Sequence, residues 1–295
     1  MTTFDSQTLK RFHFLSLSAG GRADRSLLAR PRKKLPGGGT EATGLRDYAP
    51  GDDYRYIDWT WTARRDELLT KVFEGEEDRS IYVLLDCSPS MGLGRPAKFD
   101  LARRIAALLG YAAVTNLMQI GVAAFSGGVV ARHPPLRDRA RFGRLLRFLE
   151  GLSLQGTQTD LARAAESFSR SYQRHGPVVV ISDLYAPGGF RRGLDVLLHR
   201  GYEPRVVQIY DPAEAKAELL GDLELHDVEA GRSRRVTVTE KAARRYRELF
   251  AEFQESIRGY CAKYGMACMQ AACDTPEDEV LLRVLGREKA SVGIT

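Results

Sequence analysis

The run 81–85, I-Y-V-L-L, followed at once by Asp86 and the turn C-S-P-S-M-G, constrains the fold more than any other stretch of the chain. Apolar residues in succession, without alternation, predict a strand buried on both faces, as in a parallel sheet covered by helices on each side. Pro89 and Gly92 break the strand, and a helical pattern starts near Phe99. Ligands of open α/β sheets bind in the crevice at the carboxyl ends of the strands. Asp86, with the hydroxyls of Ser88 and Ser90, stands at such an end. Oxygen donors without thiolate or imidazole suit a hard divalent cation such as Mg²⁺.

Beyond this strand the pattern alternates. Residues 99–118 predict a helix, 120–125 a second buried strand, and 129–133 a strand that returns antiparallel at the edge. Helices over 139–149 and 160–170 precede another all-apolar strand, 178–181, which ends on Ser182-Asp183. A helix around 194–200, a strand over 205–210 and a short helix opened by Asp211-Pro212 follow. Residues 223–228 and 233–238 predict a projecting β-hairpin, and Thr239 caps a long helix reaching Lys263. A strand over 266–272 and a helix over 277–285 end the pattern. The expectation for 79–290 is an α/β domain with a doubly wound, mostly parallel sheet and an inserted hairpin.

Ahead of it, residues 1–43 are rich in Ser, Arg and Gly and predict a poorly structured arm, with Leu9, Phe12, Phe14 and Leu15 able to begin a short amphipathic helix. Residues 44–78 form an N-terminal extension with a turn at Pro50-Gly51. Asp52 or Asp53 caps a short helix that would carry Ile57, Trp61 and Ala63 inward, and 68–73 reads as a strand pairing at the sheet edge. Asp52, Asp53, Arg55, Asp58 and Trp59 make this segment unusually charged and aromatic. It reads either as an ion-pair network at a buried edge or as a partner-docking surface, since Trp and Arg are common interface anchors.

Composition narrows the function classes. The 295 residues carry 44 basic and 38 acidic side chains, a net charge of +6, with basic patches at 30–34 and 137–147. Nucleic-acid binding through these patches is therefore an alternative. Apolar runs fall well short of the ~20 residues that span a bilayer, and no secretory signal pattern is visible, so a cytoplasmic location is expected. The cysteines at 87, 261, 268 and 273 form no C-x-x-C, and 268 and 273 fall on opposite faces of a candidate strand; buried free thiols are expected, and no zinc site. No P-loop string occurs. Ser88-Pro89-Ser90-Met91-Gly92 is similar to a nucleophile elbow. A serine hydrolase would also need a histidine after the final strand, and His13, His133, His175, His199 and His226 all precede it. A non-enzymatic role is expected.

Two more strand-end segments join the first. The loop Q-G-T-Q-T-D-L offers Thr157 and Thr159, and the 178–181 strand delivers Asp183. D-C-S-P-S, the later T-D-L and the strand-end Asp resemble the metal-ion-dependent adhesion site of von Willebrand factor A-type domains. That resemblance implies a site of Asp86, Ser88, Ser90, Thr159 and Asp183, with hydroxyls on Mg²⁺ or Mn²⁺ and the aspartates often acting through water. The family's Thr-Asp/Asn-Leu pattern favours Thr159 over Thr157. The ion would accept an Asp or Glu from a partner protein. Y-A-P-G-D-D-Y-R-Y-I-D-W-T-W-T-A-R, then a strand and D-x-S-x-S-M, and later L-H-D-V-E-A-G, are similar to a bacterial family of unknown function numbered fifty-eight. The similarity spans roughly residues 45 to 285. It implies a non-catalytic adaptor acting with a MoxR-type AAA+ ATPase, or its client, in the maturation or remodelling of proteins. Many members carry transmembrane helices ahead of this region; this sequence is similar to the short type without them.

Overall fold

The computed structural model describes residues 34–36, 42–65, 67–74, 80–156, 158–216, 220–226 and 233–284. The chain divides into two compact units, Ala29–Asp78 and a larger one that carries the residues from Arg79 onward.

In the smaller unit, β1 (Lys34–Pro36), β2 (Ala42–Asp47) and β3 (Leu69–Glu74) form an antiparallel sheet in the order β1-β3-β2. This corrects the expected pairing of the third strand at the edge of the large sheet, because both of its hydrogen-bonding sides are taken by β1 and β2. β1 falls within the stretch expected to be an arm; the helix expected near Leu9–Leu15 lies outside the described residues. Asp53 caps a 3-10 turn over Tyr54–Tyr56. Helix α1 (Trp59–Arg65) is capped by Asp58, whose Oδ1 accepts from the N–H groups of Thr60 and Trp61 at 3.1 and 3.2 Å. Ile57 is buried and bridges to Thr70, as its apolar side chain predicts. Trp61 and Ala63, expected inward, are exposed instead. Ile57, ahead of the two-turn helix, is the buried apolar residue of this segment, while Trp59 and Trp61 on the helix are 62% and 43% exposed.

The larger unit runs β4 (Ser80–Asp86), α2 (Lys98–Thr115), β5 (Gln119–Phe125), β6 (Val129–Leu136), α3 (Phe142–Gly151), α4 (Leu161–Ser171), β7 (Pro177–Ser182) and α5 (Arg191–His199). It continues with β8 (Glu203–Tyr210), α6 (Pro212–Lys216), β9 (Gly221–His226), β10 (Ser233–Val238), α7 (Glu240–Lys263), β11 (Cys268–Ala272) and α8 (Glu277–Val284). Six strands make one sheet in the order β11-β8-β7-β4-β5-β6. All neighbours are parallel except β5 and β6. This is the doubly wound α/β architecture expected, with β9 and β10 as a separate antiparallel hairpin. β6 continues past His133 through Pro134 and Pro135, where a shift in register between Ile120 and Val122 accommodates them. An edge strand with a bulge is where a sheet tolerates proline.

Strand β4 shows how the apolar run makes the core. Ile81, Val83 and Leu85 pack in one layer with residues of α2, α3 and α8, while Tyr82 and Leu84 pack in the other with α4, α5 and α7. β7 divides in the same way, Val179 and Ile181 against Val178 and Val180. Cys273 belongs to the first layer and Cys268 packs against the second, as expected for opposite faces; the four thiols are free. From β4 the chain builds outward to β5 and β6, then returns to the other side of β4 as β7. The connections after β4 and β7 therefore diverge, and a crevice opens between their carboxyl ends.

Candidate metal site at the strand ends

Asp86 is the last residue of β4 and is fully buried. Its Oδ1 accepts the Ser88 N–H at 2.8 Å and its Oδ2 accepts the Ser182 hydroxyl at 2.6 Å. Ser182 Oγ also accepts the Leu184 N–H at 2.8 Å, and Leu184 adopts φ +63°. A branched residue in the left-handed region is strained, and such strain persists where surrounding bonds over-determine the turn. The Ser88 and Ser90 hydroxyls lie 3.1 Å apart around the 3-10 turn Pro89–Gly92.

The loop before α4 is fastened to the same edge. Gln155 N–H donates to Cys87 O at 2.8 Å, Asp160 N–H donates to Ser126 O at 2.9 Å, and Ser126 Oγ donates to Gln158 O at 3.2 Å. Gly156 permits this approach: its φ is +93°, and a Cβ there would lie 2.2 Å from Ser126 Oγ. Asp160 caps α4 through the Arg163 N–H at 2.9 Å. Thr159, between these fastened residues, is buried. Thr157 lies outside the described residues.

Asp183 follows β7 directly, and β7 pairs with β4 in parallel, so both carboxylates reach the same edge. Asp183 Oδ1 accepts the Tyr185 N–H at 3.1 Å; its Oδ2 accepts from Lys98 Nζ at 2.8 Å. Lys98, in the first turn of α2, also donates to Glu214 Oε1 at 2.9 Å and lies 5.5 Å from the centre of the Tyr185 ring. Sequence reasoning missed Lys98, Glu214, Ser126 and the role of Ser182. One signal was present: Asp211-Pro212-Ala213-Glu214 is a capping box. Asp211 Oδ1 accepts from Ala213 N–H at 3.0 Å and Glu214 Oε2 from Asp211 N–H at 3.1 Å, which fixes Glu214 in place.

Burial, and after it the charge of Asp183, pushes the pKa of Asp86 up to about 7. Burial opposes the Lys98 ammonium, but Asp183 and Glu214 outweigh it and hold its pKa above the ordinary lysine value. Among the described residues Asp86 makes no ion pair; its partners are an amide and a hydroxyl. A buried carboxylate without a counter-charge is costly, and a divalent ion beside it would supply that charge. The described residues hold no cluster of three His, Cys, Asp or Glu side chains suited to a metal. A metal here would therefore draw on the Ser88, Ser90 and Thr159 hydroxyls, and this donor set fits Mg²⁺ or Mn²⁺.

The geometry does not assemble a hydrolase triad from the described residues. Ser88 and Ser90 bond one another, His133 Nδ1 faces Pro134 O at 2.7 Å, and His199 Nδ1 faces Asp195 O at 2.7 Å. In the smaller unit, the carboxylates that one of the two readings joined in an ion-pair network act as separate local braces among the described residues. Asp52 accepts from Arg46 at 2.6 Å and from Ala49 N–H at 2.9 Å; the Ala49 bond, then Arg46, lowers its pKa. Asp53 pairs with Arg55 at 2.6 Å, and Asp58 with Lys71 at 3.6 Å. Trp59 is 62% exposed and Tyr54 71%.

The uncharacterized protein Rv1480 of Mycobacterium tuberculosis is 29% identical over 201 residues, covering 67% of this chain and 63% of that protein. This chain thus spans less than two thirds of that relative's length. The uncharacterized protein YeaD of Bacillus subtilis is 40% identical over 45 residues, 15% of this chain and 11% of that protein. The crystal structure of the conserved hypothetical protein BatB from Bacteroides thetaiotaomicron superposes with a TM-score of 0.45 at 16% identity, covering 70% of this chain and 97% of that one. The family model described as "Protein of unknown function DUF58" matches residues 44–256, well over half of the chain, and the protein belongs to that family.

Proposed function

We propose that the strand-end site binds Mg²⁺, with Mn²⁺ as its nearest substitute, and that the ion accepts an Asp or Glu side chain from another protein. Ser88, Ser90 and Thr159 would hold the ion, with Asp86 and Asp183 orienting its waters. A bound ion supplies a Lewis-acidic position for that carboxylate. The observation that carries the reading is the Asp86 carboxylate, buried without a cationic partner among the described residues and bonded to the turn that pairs the Ser88 and Ser90 hydroxyls. The family resemblance supports a non-catalytic adaptor that works with a MoxR-type AAA+ ATPase, or its client, in protein maturation or remodelling. Trp59 and its neighbours Asp52, Asp53, Arg55 and Asp58 would give a second, metal-independent contact, supported by the exposure of Trp59.

No helix among the described residues is long and apolar enough to cross a membrane; a cytoplasmic location is part of the proposal. Nucleic-acid binding is the second reading; two arginines of the 137–147 patch have local partners, Arg139 donating to the Tyr111 hydroxyl at 2.8 Å and Arg141 pairing with Asp138 at 3.4 Å.

The test is a calorimetric titration of Mg²⁺ and Mn²⁺ into the wild type and Asp86→Asn. Binding by the wild type alone supports the reading. A wild type that binds neither ion sinks it.

A further inference from the structure

Lys98 is the least expected group near the site. Its side chain is wholly buried, with Asp183 Oδ2 at 2.8 Å and Glu214 Oε1 at 2.9 Å. An ammonium removed from water needs its charge and its N–H donors matched. Two carboxylates and the face of the Tyr185 ring do so here.

The two carboxylates have different standing. Asp183 lies at the end of β7, beside Asp86 on β4. Glu214 belongs to α6, after β8, and its second oxygen is already committed to the Asp211 N–H at 3.1 Å. It is held by the start of its own helix, and among the described residues its bond toward the site is to Lys98. The ledger of charge explains why it is there. Without Glu214, the positive charge of Lys98 would be offset by Asp183 alone, and the crevice would be one unit less negative toward an incoming cation. With Glu214 present, Lys98 is cancelled and its charge no longer opposes a divalent ion arriving beside Asp86 and Asp183.

We infer that Glu214 is a positioning residue of the cation site: acting through Lys98, it neutralises the ammonium that holds Asp183, so that the crevice keeps the charge a divalent ion requires. The inference rests on the cation reading above. It makes Lys98 and Glu214 a neutral pair that serves Asp183 and does not itself touch the ion.

A role in packing or helix capping alone predicts that each change in this pair adds damage. The charge role predicts a reversal. In a water-poor site, one unbalanced charge nearby shifts the affinity for a divalent ion by roughly tenfold or more. Glu214→Gln should therefore weaken Mg²⁺ binding by about that factor, while Lys98→Met added to Glu214→Gln should restore most of it. Lys98→Gln with Glu214→Gln, which keeps hydrogen-bonding groups in both places, is the second double variant should the first not fold. Calorimetric Mg²⁺ titration of the full chain, with thermal melts as a check on folding, reads the result. Wild-type affinity in Glu214→Gln, or a double variant no better than the single one, overturns this inference while leaving the cation reading intact. A wild type that binds no Mg²⁺ overturns both.

Discussion

The Ser182 hydroxyl donates to Asp86 Oδ2 at 2.6 Å, so one buried bond ties the carboxyl end of β7 to that of β4. Ser182 Oγ in turn accepts the Leu184 N–H. The carboxylate at the centre of the crevice is thereby positioned by two adjacent strands of the rigid sheet, and its aim does not depend on a mobile loop.

If the hydroxyls hold the ion, Ser88→Ala with Ser90→Ala should remove Mg²⁺ binding and partner capture. The variant loses mainly the bond between the two side chains, so its stability should drop by only about 1 kcal/mol. Calorimetry and urea denaturation, read together, separate the two effects; retained Mg²⁺ affinity in a folded variant would count against these ligands.

Lys98→Ala should be among the most damaging single changes. It leaves Asp183 buried and unpaired, and breaking a buried pair costs about 3–5 kcal/mol. Chemical denaturation should show a loss of that order. A loss below about 1 kcal/mol, the range of exposed pairs, would mean that water reaches the ammonium.

Gly156→Ala places a Cβ against Ser126 Oγ at 2.2 Å in a left-handed backbone. Strain of this kind costs about 1–3 kcal/mol, and its relief displaces the loop that carries Thr159. Weaker Mg²⁺ binding with a modest fall in melting temperature is expected, whereas Gly189→Ala, also at positive φ but with nothing within 4 Å, should leave Mg²⁺ binding unchanged.

Two helical glycines should respond in opposite directions. A Cβ at Gly193 in α5 would lie 2.4 Å from Leu161 Cγ and 2.9 Å from the Leu161 carbonyl carbon, so Gly193→Ala should destabilise by about 1–3 kcal/mol. At Gly143 in α3 the nearest atom is Arg147 Nη1 at 3.9 Å, and Gly143→Ala should stabilise by about 0.5–1 kcal/mol through helix propensity. Equilibrium unfolding of the pair checks both signs.

Trp59→Ala removes an exposed side chain and should change stability by less than about 0.5 kcal/mol. A selective loss of partner capture that persists in EDTA would establish a second contact on the smaller unit. Capture equal to that of the wild type would dismiss it.

Much of the fold could be read from periodicity, because a strand such as β4 with helices on both faces leaves an uninterrupted apolar run. The cap at Thr239 was equally readable, since a side chain three residues from its amide partner is a local matter. Lys98 was not. A lysine opening a helix ordinarily faces solvent, and its burial follows only from partners 85 and 116 residues away. Trp61 failed for a related reason: a helical pattern tells which residues share a face, while the depth to which that face is covered is decided by the rest of the unit.

The two prolines in β6 reach beyond their own strand. A sheet of this kind presents an unpaired row of amides and carbonyls wherever it stops, and a stray segment of another chain can dock along that row. Pro134 and Pro135 have no N–H to give, and the shifted register against β5 bends the strand where they sit. The outer margin of β6 is therefore a poor template for growth. That margin of the sheet carries its own brake against ribbon-like growth, written into two consecutive residues.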